Sequence, residues 1–240
     1  MSRAIVIGAS SGIGKEVAQM LIDEGWTVGL AARRDGKLLP TMHAHEDKVK
    51  VAKIDVTASD AADKLNLLIK RIGGMDLFFY AAGVGHQNRD LQEDIELTTV
   101  RTNAFGFTRM IGAAYRYFAA NGGGHIAAIT SIASTKGLGP APAYSATKAM
   151  QATYLQSLEQ LAHAQGLKIC FTDIRPGFVD TDLLSGTHDY PMLMEVKPVA
   201  KAIMKAVKQK RHVCVIDWRW RLLTAVWRRI PRWMWRRMKL

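Results

Sequence analysis

Tyr144 and Lys148, four residues apart, and Ser131, thirteen positions ahead of the tyrosine, are the residues whose types and spacing could do chemistry. On a helix the first two share a face, with Cβ atoms about 5–6 Å apart. A lysine ammonium that close to a phenol favours the phenolate, since an opposite charge stabilises the ionised form. It would bring a group with a reference pKa of about 10 toward working pH, where an acid–base is most effective. Ser131 follows the apolar run IAAIT, so it should stand at the carboxyl edge of a strand. There its hydroxyl could bond the same oxygen that Tyr144 protonates. Alone, Tyr-x-x-x-Lys is a frequent coincidence on exposed helices. Its meaning depends on the elements around it.

Those elements alternate. Residues 3–8 read as a buried strand followed by GASSGIGKEVAQMLIDEG, a glycine turn opening a helix near Ile13. Strand, glycine turn and helix together bring backbone N–H groups and a helix N-terminus to a pyrophosphate. The spacing of Gly8, Gly12 and Gly14 is G-x-x-x-G-x-G, unlike the commoner dinucleotide fingerprint. WTVGLAARR predicts a second strand ending at Ala31 or Ala32. Just past it, where a carboxylate would hold the ribose 2′-hydroxyl of NAD, stand Arg33 and Arg34. Guanidinium groups suit a 2′-phosphate, so NADP(H) is expected over NAD(H).

VKVAKIDVT predicts a third strand ending at Asp55-Val56, with the carboxylate placed to accept from an adenine amino group. A helix is expected over 58–73, and a fourth strand, Met75–Ala81, runs into Ala82-Gly83. A long helical pattern over 93–120 contains Asn103, poor mid-helix chemistry that marks a kink holding a water. A fifth strand, HIAAITS, delivers Ser131; the helix of Tyr144 and Lys148 runs to about Gln165. A sixth strand ends in Pro176-Gly177, a helix covers 197–210, and RHVCVID makes the seventh strand. This alternation predicts an α/β fold, a single Rossmann-type, doubly wound, seven-stranded parallel sheet with helices on both faces. Gly8, Arg33, Asp55, Gly83, Ser131 and Pro176 all fall at strand carboxyl ends, where such sheets bind ligands.

With these motifs in this order, residues 3–216 resemble the short-chain dehydrogenase/reductase family. The glycine turn matches the family's T-G-x-x-x-G-I-G with Ile7 in place of threonine, and its N-N-A-G falls on Tyr80-Ala81-Ala82-Gly83, without either asparagine. Those losses should weaken the hydrogen bonding of the sheet edge under the cofactor. The resemblance implies a catalytic set of Asn103, Ser131, Tyr144 and Lys148, with Asn103 anchoring a water that relays protons to Lys148. It also implies cofactor contacts from Gly8, Ser10, Ser11, Gly12, Ile13 and Gly14, from Arg33, Arg34, Asp55, Val56, Ala82 and Gly83, and from Tyr144 and Lys148. The intact P-G-x-V-x-T element adds Pro176, Gly177, Val179 and Thr181. No metal site is implied. The implied reaction is hydride transfer between nicotinamide C4 and a carbonyl or secondary alcohol; the alternative is a cofactor-binding scaffold without turnover. Family members commonly form dimers or tetramers through helices near 100–120 and 145–165.

Composition sets the bounds. A chain of 240 residues, 48% hydrophobic and 22% charged, fits one α/β domain with a full core and argues against disorder. The strand beginning at position 4 leaves no room for a leader peptide, and no apolar run approaches the roughly 18 residues of a spanning helix. Cys170 and Cys214, both in strand-like runs, read as buried free thiols, and the protein as cytoplasmic. The loop Phe178–Lys197, with Leu183, Leu184, Tyr190, Met192, Leu193 and Met194, should cover a lipophilic substrate.

The net charge of +12 is concentrated at one end. Twelve Lys/Arg and one Asp lie between Lys205 and Leu240, against near balance over residues 1–204, and five of six tryptophans share that end. Residues 1–217 therefore read as the oxidoreductase domain and 218–240 as a basic amphipathic extension. On a helix, Leu222, Leu223, Val226, Trp227 and Ile230 gather on one side and Arg221, Arg228 and Arg232 opposite. Three readings compete for it: a peripheral contact with the membrane inner face, a subunit interface or substrate-site cover, and a nucleic-acid contact that nothing else in the chain supports.

Overall fold

The computed structural model describes residues 2–184 and 190–238. Seven parallel strands form one sheet: β1 (Arg3–Ile7), β2 (Thr27–Ala32), β3 (Val49–Lys53), β4 (Leu77–Tyr80), β5 (Gly124–Ile129), β6 (Ile169–Arg175) and β7 (Val213–Val215). Their order is β3-β2-β1-β4-β5-β6-β7, so the winding reverses between β1 and β4 and opens a crevice at the carboxyl ends.

The two faces follow from the period-two alternation of buried strands. On β1, Ala4 and Val6 face α1 (Gly12–Asp23) and α7 (Val196–Lys208), with Val17, Leu21, Ile203 and Val207 in that core. Ile5 and Ile7 face α3 (Ala61–Arg71), α5 (Phe107–Ala120) and α6 (Pro142–Ala164), packing with Leu65, Leu68, Phe107, Phe118 and Leu155. Two further helices pack elsewhere, α2 (Leu39–Ala44) against β3 and α4 (Glu93–Val100) against α6. The sequence pattern gives no sign of α2, which has no buried residue of its own.

The third strand ends at Lys53, two residues short of expectation, because Asp55 turns the chain by accepting from Thr57 N (2.9 Å) and Thr57 Oγ1 (2.7 Å). The helical stretch over 93–120 is interrupted, as Asn103 suggests, by a π-helical turn, Arg101–Gly106. Cys214 is buried but Cys170 only partly so, and both thiols are free.

Residues 218–238 form α8 (Trp218–Arg229) and, after Pro231, α9 (Arg232–Trp235). The expected apolar side of α8 is divided. Trp220 and Thr224 are buried and Leu223 and Trp227 pack on the core, while Leu222 and Val226 point to solvent. The reason is Trp220, whose indole enters the core beside Phe178 (ring centroids 5.5 Å) and rotates the helix to suit. No helix among the described residues is long and apolar enough to cross a membrane.

Candidate active site

The carboxyl ends of the strands surround a cleft of about 930 Å³. Its left half is made of backbone. Gly8, at φ +85°, lies so close to the next strand that a Cβ there would sit 2.6 Å from Ala82 N. A Cβ on Gly14 would sit 2.3 Å from Gly8 O. The turn thus closes on itself and points the first N–H groups of α1 into the cleft. Ser11 occupies the N-cap position without making a side-chain capping bond, so its hydroxyl is not committed to its own helix. Thr181 reaches across to Gly12 from the opposite wall, 3.0 Å from where a Cβ would stand. This cradle fits a pyrophosphate on both sides.

Ser10, Ser11, Ile13, Arg33, Arg34, Val56, Ala82, Gly83, Pro176, Gly177, Val179 and Thr181 all line the cleft. Both arginines are exposed and form no ion pair among the described residues. Asp55 does not line the cleft. Its bonds to Thr57, and after them the nearby Arg33, hold its carboxyl below the usual range against the cost of its partial burial. With Oδ1 committed to Thr57, an adenine amino group would have to reach Oδ2. What steadies this turn has no local signal in the chain: Arg109 Nη1 on α5 donates to Thr57 O (2.8 Å) and Ala58 O (2.6 Å).

Two of the three departures from the dinucleotide-site pattern, Ile7 and Tyr80, prove to be register partners on β1 and β4. The expected weakening of the edge is offset. The backbone bond Ala81 N to Ile7 O is intact at 2.8 Å, and Tyr80 stacks edge-on against Phe107 at 5.1 Å. The Tyr80 hydroxyl is buried without a partner.

Ser131, Tyr144, Lys148 and Asn103 converge on the right half. Ser131 stands just past β5, and Tyr144 lies in the first turn of α6 with Lys148 one turn on. Ser131 faces the Tyr144 phenol, and its Oγ accepts from Ala133 N at 3.0 Å. The Lys148 ammonium is 5.7 Å from the Tyr144 ring centre and donates to Ile129 O at 3.1 Å. One expectation fails here. Burial pushes the phenol above its ordinary value and outweighs the influence of Ser131, which acts downward. The same burial lowers Lys148 to about 8, with Asp173 pulling weakly the other way. The lysine is thus still mostly cationic at neutral pH, but the protein alone does not make Tyr144 more acidic.

Asn103 is fully buried and acts through its side chain as a clamp. Its Nδ2 donates to Val84 O (2.7 Å) while its Oδ1 accepts from Val84 N (2.9 Å), fixing the loop that follows β4. Its backbone carbonyl accepts from Gln151 Nε2 at 2.7 Å. Gln151 Oε1 accepts from Lys148 Nζ at 3.0 Å. Gln151 lies seven residues after Tyr144 on the same helical face, a spacing that could have flagged it.

The far wall of the cleft is apolar. It carries Phe178, Leu183, Leu184, Tyr190 and Met192 from the loop after β6, and Trp220, Leu223 and Trp227 from α8. Met194 N donates to Phe178 O (3.0 Å) and Asp180 N to Met194 O (2.9 Å), tying the base of that loop; its residues 185–189 lie outside the described chain, and Leu193 does not line the cleft. Aromatic rings continue from Tyr190 through Phe178, Trp220 and Trp227 to Trp235, at centroid distances of 4.6 to 6.4 Å. Trp235 Nε1 donates to Gly137 O (2.8 Å), and Lys136 Nζ to Ile230 O (3.0 Å). The carboxyl-terminal segment therefore bridges the two loops that flank Tyr144. Sequence reasoning offered this cover as one of three readings but could not identify Trp220 as its anchor.

Comparison with known proteins gives a consistent picture. A family profile described as short chain dehydrogenase matches residues 2–190. An uncharacterized oxidoreductase of Staphylococcus aureus is 33% identical over 218 residues, spanning 88% of this chain and 93% of the relative. One from Staphylococcus epidermidis is 31% identical over 216 residues with the same coverage. Among solved structures, a short chain dehydrogenase from Burkholderia cenocepacia in complex with NADP superposes with a TM-score of 0.85 at 18% identity, covering 100% of this chain and 98% of that one. A 3-ketoacyl-(acyl-carrier-protein) reductase from Brucella melitensis complexed with NADH gives 0.81 at 18% identity, covering 90% and 96%.

Proposed function

Since this chain belongs to the short-chain dehydrogenase/reductase family of oxidoreductases, we propose that it reduces a lipophilic ketone with NADPH, using Tyr144 as the acid. The observation that carries this reading is that Ser131, Tyr144 and the buried Lys148 line one cleft together, at the seam between the phosphate cradle and the apolar wall. When bound, the nicotinamide supplies the hydride. Tyr144 gives its proton to the oxygen that becomes an alkoxide, and Ser131 donates to the same oxygen, so charge develops against groups already in place. The Lys148 ammonium stabilises the phenolate left behind. Gly8 to Gly14 and Thr181 would hold the pyrophosphate, Val179 the nicotinamide, and Lys148 the ribose hydroxyls. Arg33 and Arg34, exposed at the end of β2 and without an ion pair among the described residues, support a 2′-phosphate and hence NADP(H) over NAD(H).

The apolar wall supports a lipophilic substrate, and the opposite face of the same helix supports a place for the reaction. Trp218, Leu222 and Val226 are exposed on the outer side of α8, flanked by Arg219, Arg221, Arg228 and Arg229. Tryptophan and aliphatic side chains set between arginines suit the interface of an anionic bilayer. We accordingly place the protein in the cytoplasm against the inner face of a membrane. Exposed Leu97, Val100, Phe105 and Leu161 on the α4–α6 side support a homodimer or homotetramer.

The test is NADPH oxidation against ketones of increasing chain length. Tyr144→Phe should lower kcat by about a thousandfold while leaving NADPH affinity nearly unchanged. Activity above a few per cent of the original would remove Tyr144 as the acid. For the membrane, Leu222→Glu with Val226→Glu should abolish flotation with anionic vesicles, and equal flotation with zwitterionic vesicles would count against the charge argument.

A further inference from the structure

Gln151 occupies a place that the chemistry leaves no obvious use for. It is fully buried, on α6 one turn beyond Lys148, and has no contact with the cleft. A buried, rotamer-rich amide is retained at an entropic and desolvation cost unless all of its bonds are made. Here both polar atoms of the amide are engaged, and in one orientation only. An ammonium only donates, so Oε1 must face Lys148 Nζ (3.0 Å); a carbonyl only accepts, so Nε2 must face Asn103 O (2.7 Å). The π-helical turn Arg101–Gly106 is what turns that carbonyl toward α6. Lys148 therefore has two of its three N–H bonds fixed by protein acceptors, Gln151 Oε1 and Ile129 O, and one left to face the cleft.

We propose that Gln151 is the positioning residue of the catalytic lysine and that it seals the interior side of the site, so that protons return to Tyr144 from the cleft alone. The proposal rests on the reading of Tyr144 as the acid. In reduction, the Tyr144 O–H bond breaks, its proton goes to the alkoxide, and the phenolate must then take one proton from solvent. A water held between Lys148 and the Asn103 carbonyl could hand a proton on, because water donates and accepts at the same atom. A carboxamide accepts at Oε1 and donates at Nε2, and passing a proton through would require a protonated amide or an imidic acid. Neither is populated near neutral pH. The chain of hydrogen bonds that runs inward from Lys148 thus ends at Gln151.

The groups around Lys148 make the ammonium sensitive to this neighbour. Tyr144 faces it from its own helix, Ser131 from beyond β5, and Asn103 from the π-helical turn. Among the described residues, Asp173 on β6 is the one carboxylate whose charge bears on it, and that carboxylate already accepts from Arg175 Nε at 2.7 Å. A charge introduced at residue 151 would have no nearer rival.

The experiment measures ionisation apart from turnover. The phenol of Tyr144 is titrated by difference absorbance in the NADP⁺ complex, subtracting Tyr144→Phe as the blank. Gln151→Glu, nearly isosteric, places a carboxylate on the ammonium, weakens its pull on the phenolate, and should raise the Tyr144 midpoint by about one unit or more. Gln151→Met removes both hydrogen bonds at similar volume and should lower kcat by about tenfold or more, with NADPH affinity within about threefold. Gln151→Ala leaves room for water between two polar partners and should recover part of that kcat with a larger solvent isotope effect. A merely structural glutamine would lower thermal stability without moving the phenol midpoint. An unchanged midpoint in Gln151→Glu overturns the proposal, whether or not Gln151→Met folds. A wild-type enzyme that titrates and shifts as described yet turns over no ketone overturns the proposed substrate instead.

Discussion

The two halves of the cleft are built from different materials. The cofactor half, at the ends of β1 to β4, is a backbone surface: Gly8 and Gly14 press against neighbouring chain, and an arginine on α5 pins the turn after β3. The substrate half, at the ends of β5 to β7, is a side-chain surface assembled from segments as distant as Tyr190, Trp220 and Trp227. A backbone surface has few sequences that fit it. An apolar wall can be made in many ways, because volume and hydrophobicity are its main demands. The first half therefore fixes which cofactor chemistry is possible, and the second is where substrate choice can drift without touching the reaction.

Removing the anchor of the substrate half should give the largest effect. Trp220→Ala deletes a 2%-exposed indole that touches Phe178 and Trp227, and should cost about 3–5 kcal/mol in denaturant unfolding. If the halves are separable, NADPH affinity of the folded fraction stays within about twofold while KM for a lipophilic ketone rises. A parallel loss of NADPH affinity would show that the tail supports both halves, since Gly177 packs so tightly on the indole that a Cβ there would lie 2.2 Å from Trp220 Nε1.

The converse change attacks the backbone surface. Gly14→Ala puts a methyl 2.3 Å from the Gly8 carbonyl, a contact that only a shift of the turn relieves. NADPH affinity should fall by about a hundredfold by fluorescence titration, while the packing of Trp220 and its near-ultraviolet dichroism stay as they are. Binding preserved within about threefold would break the claim that this half tolerates few sequences.

This contrast also explains what could be read from the chain before its structure. Glycine spacing, strand ends and the Ser131, Tyr144, Lys148 set are local signals, each within one turn or one strand-to-helix junction, and all but Asp55 meet in the cleft. The losses at Ile7 and Tyr80 were legible as residues but not as a pair, because register between β1 and β4 is a long-range fact. The outward turn of Leu222 and Val226 was hidden for the same reason. A helical pattern gives the relative angles of side chains but not which arc faces the protein, and Trp220 decides that through a contact with Phe178 forty-two residues earlier. Gln151 was visible by spacing, yet its role depends on a carbonyl that only the π-helical turn exposes. The direction of the Tyr144 shift could not be read either, since burial of the hydroxyl outweighs what a neighbouring residue type suggests.

A smaller effect distinguishes cofactors within the first half. Arg33→Asp should lower NADPH affinity by about tenfold and leave NADH affinity unchanged or improved, because the carboxylate repels a 2′-phosphate and accepts from a 2′-hydroxyl. Arg34→Asp made separately shows which guanidinium carries the preference. Equal effects on the two cofactors would indicate that the arginines act on the turn and not on the phosphate.

The smallest effect at neutral pH belongs to neither half and serves as the control. His125 lies on β5, buried, with Nε2 and Thr172 Oγ1 2.8 Å apart. Burial, with a lesser contribution from Lys210, lowers its pKa from 6.5 to about 4. The unfolded chain therefore takes up a proton at a pH where the folded chain does not. Stability from this residue is complete above about pH 6.5, declines as pH falls toward 4, and changes no further below that. Between pH 7 and 6 the loss is about 0.5–1 kcal/mol by this linkage. His125→Gln, which retains a partner for Thr172, should flatten that limb in urea unfolding and leave NADPH affinity and KM as they were. A change in either binding constant would mean that the floor of the sheet is coupled to the cleft, and the two halves could no longer be treated as separate surfaces on a common support.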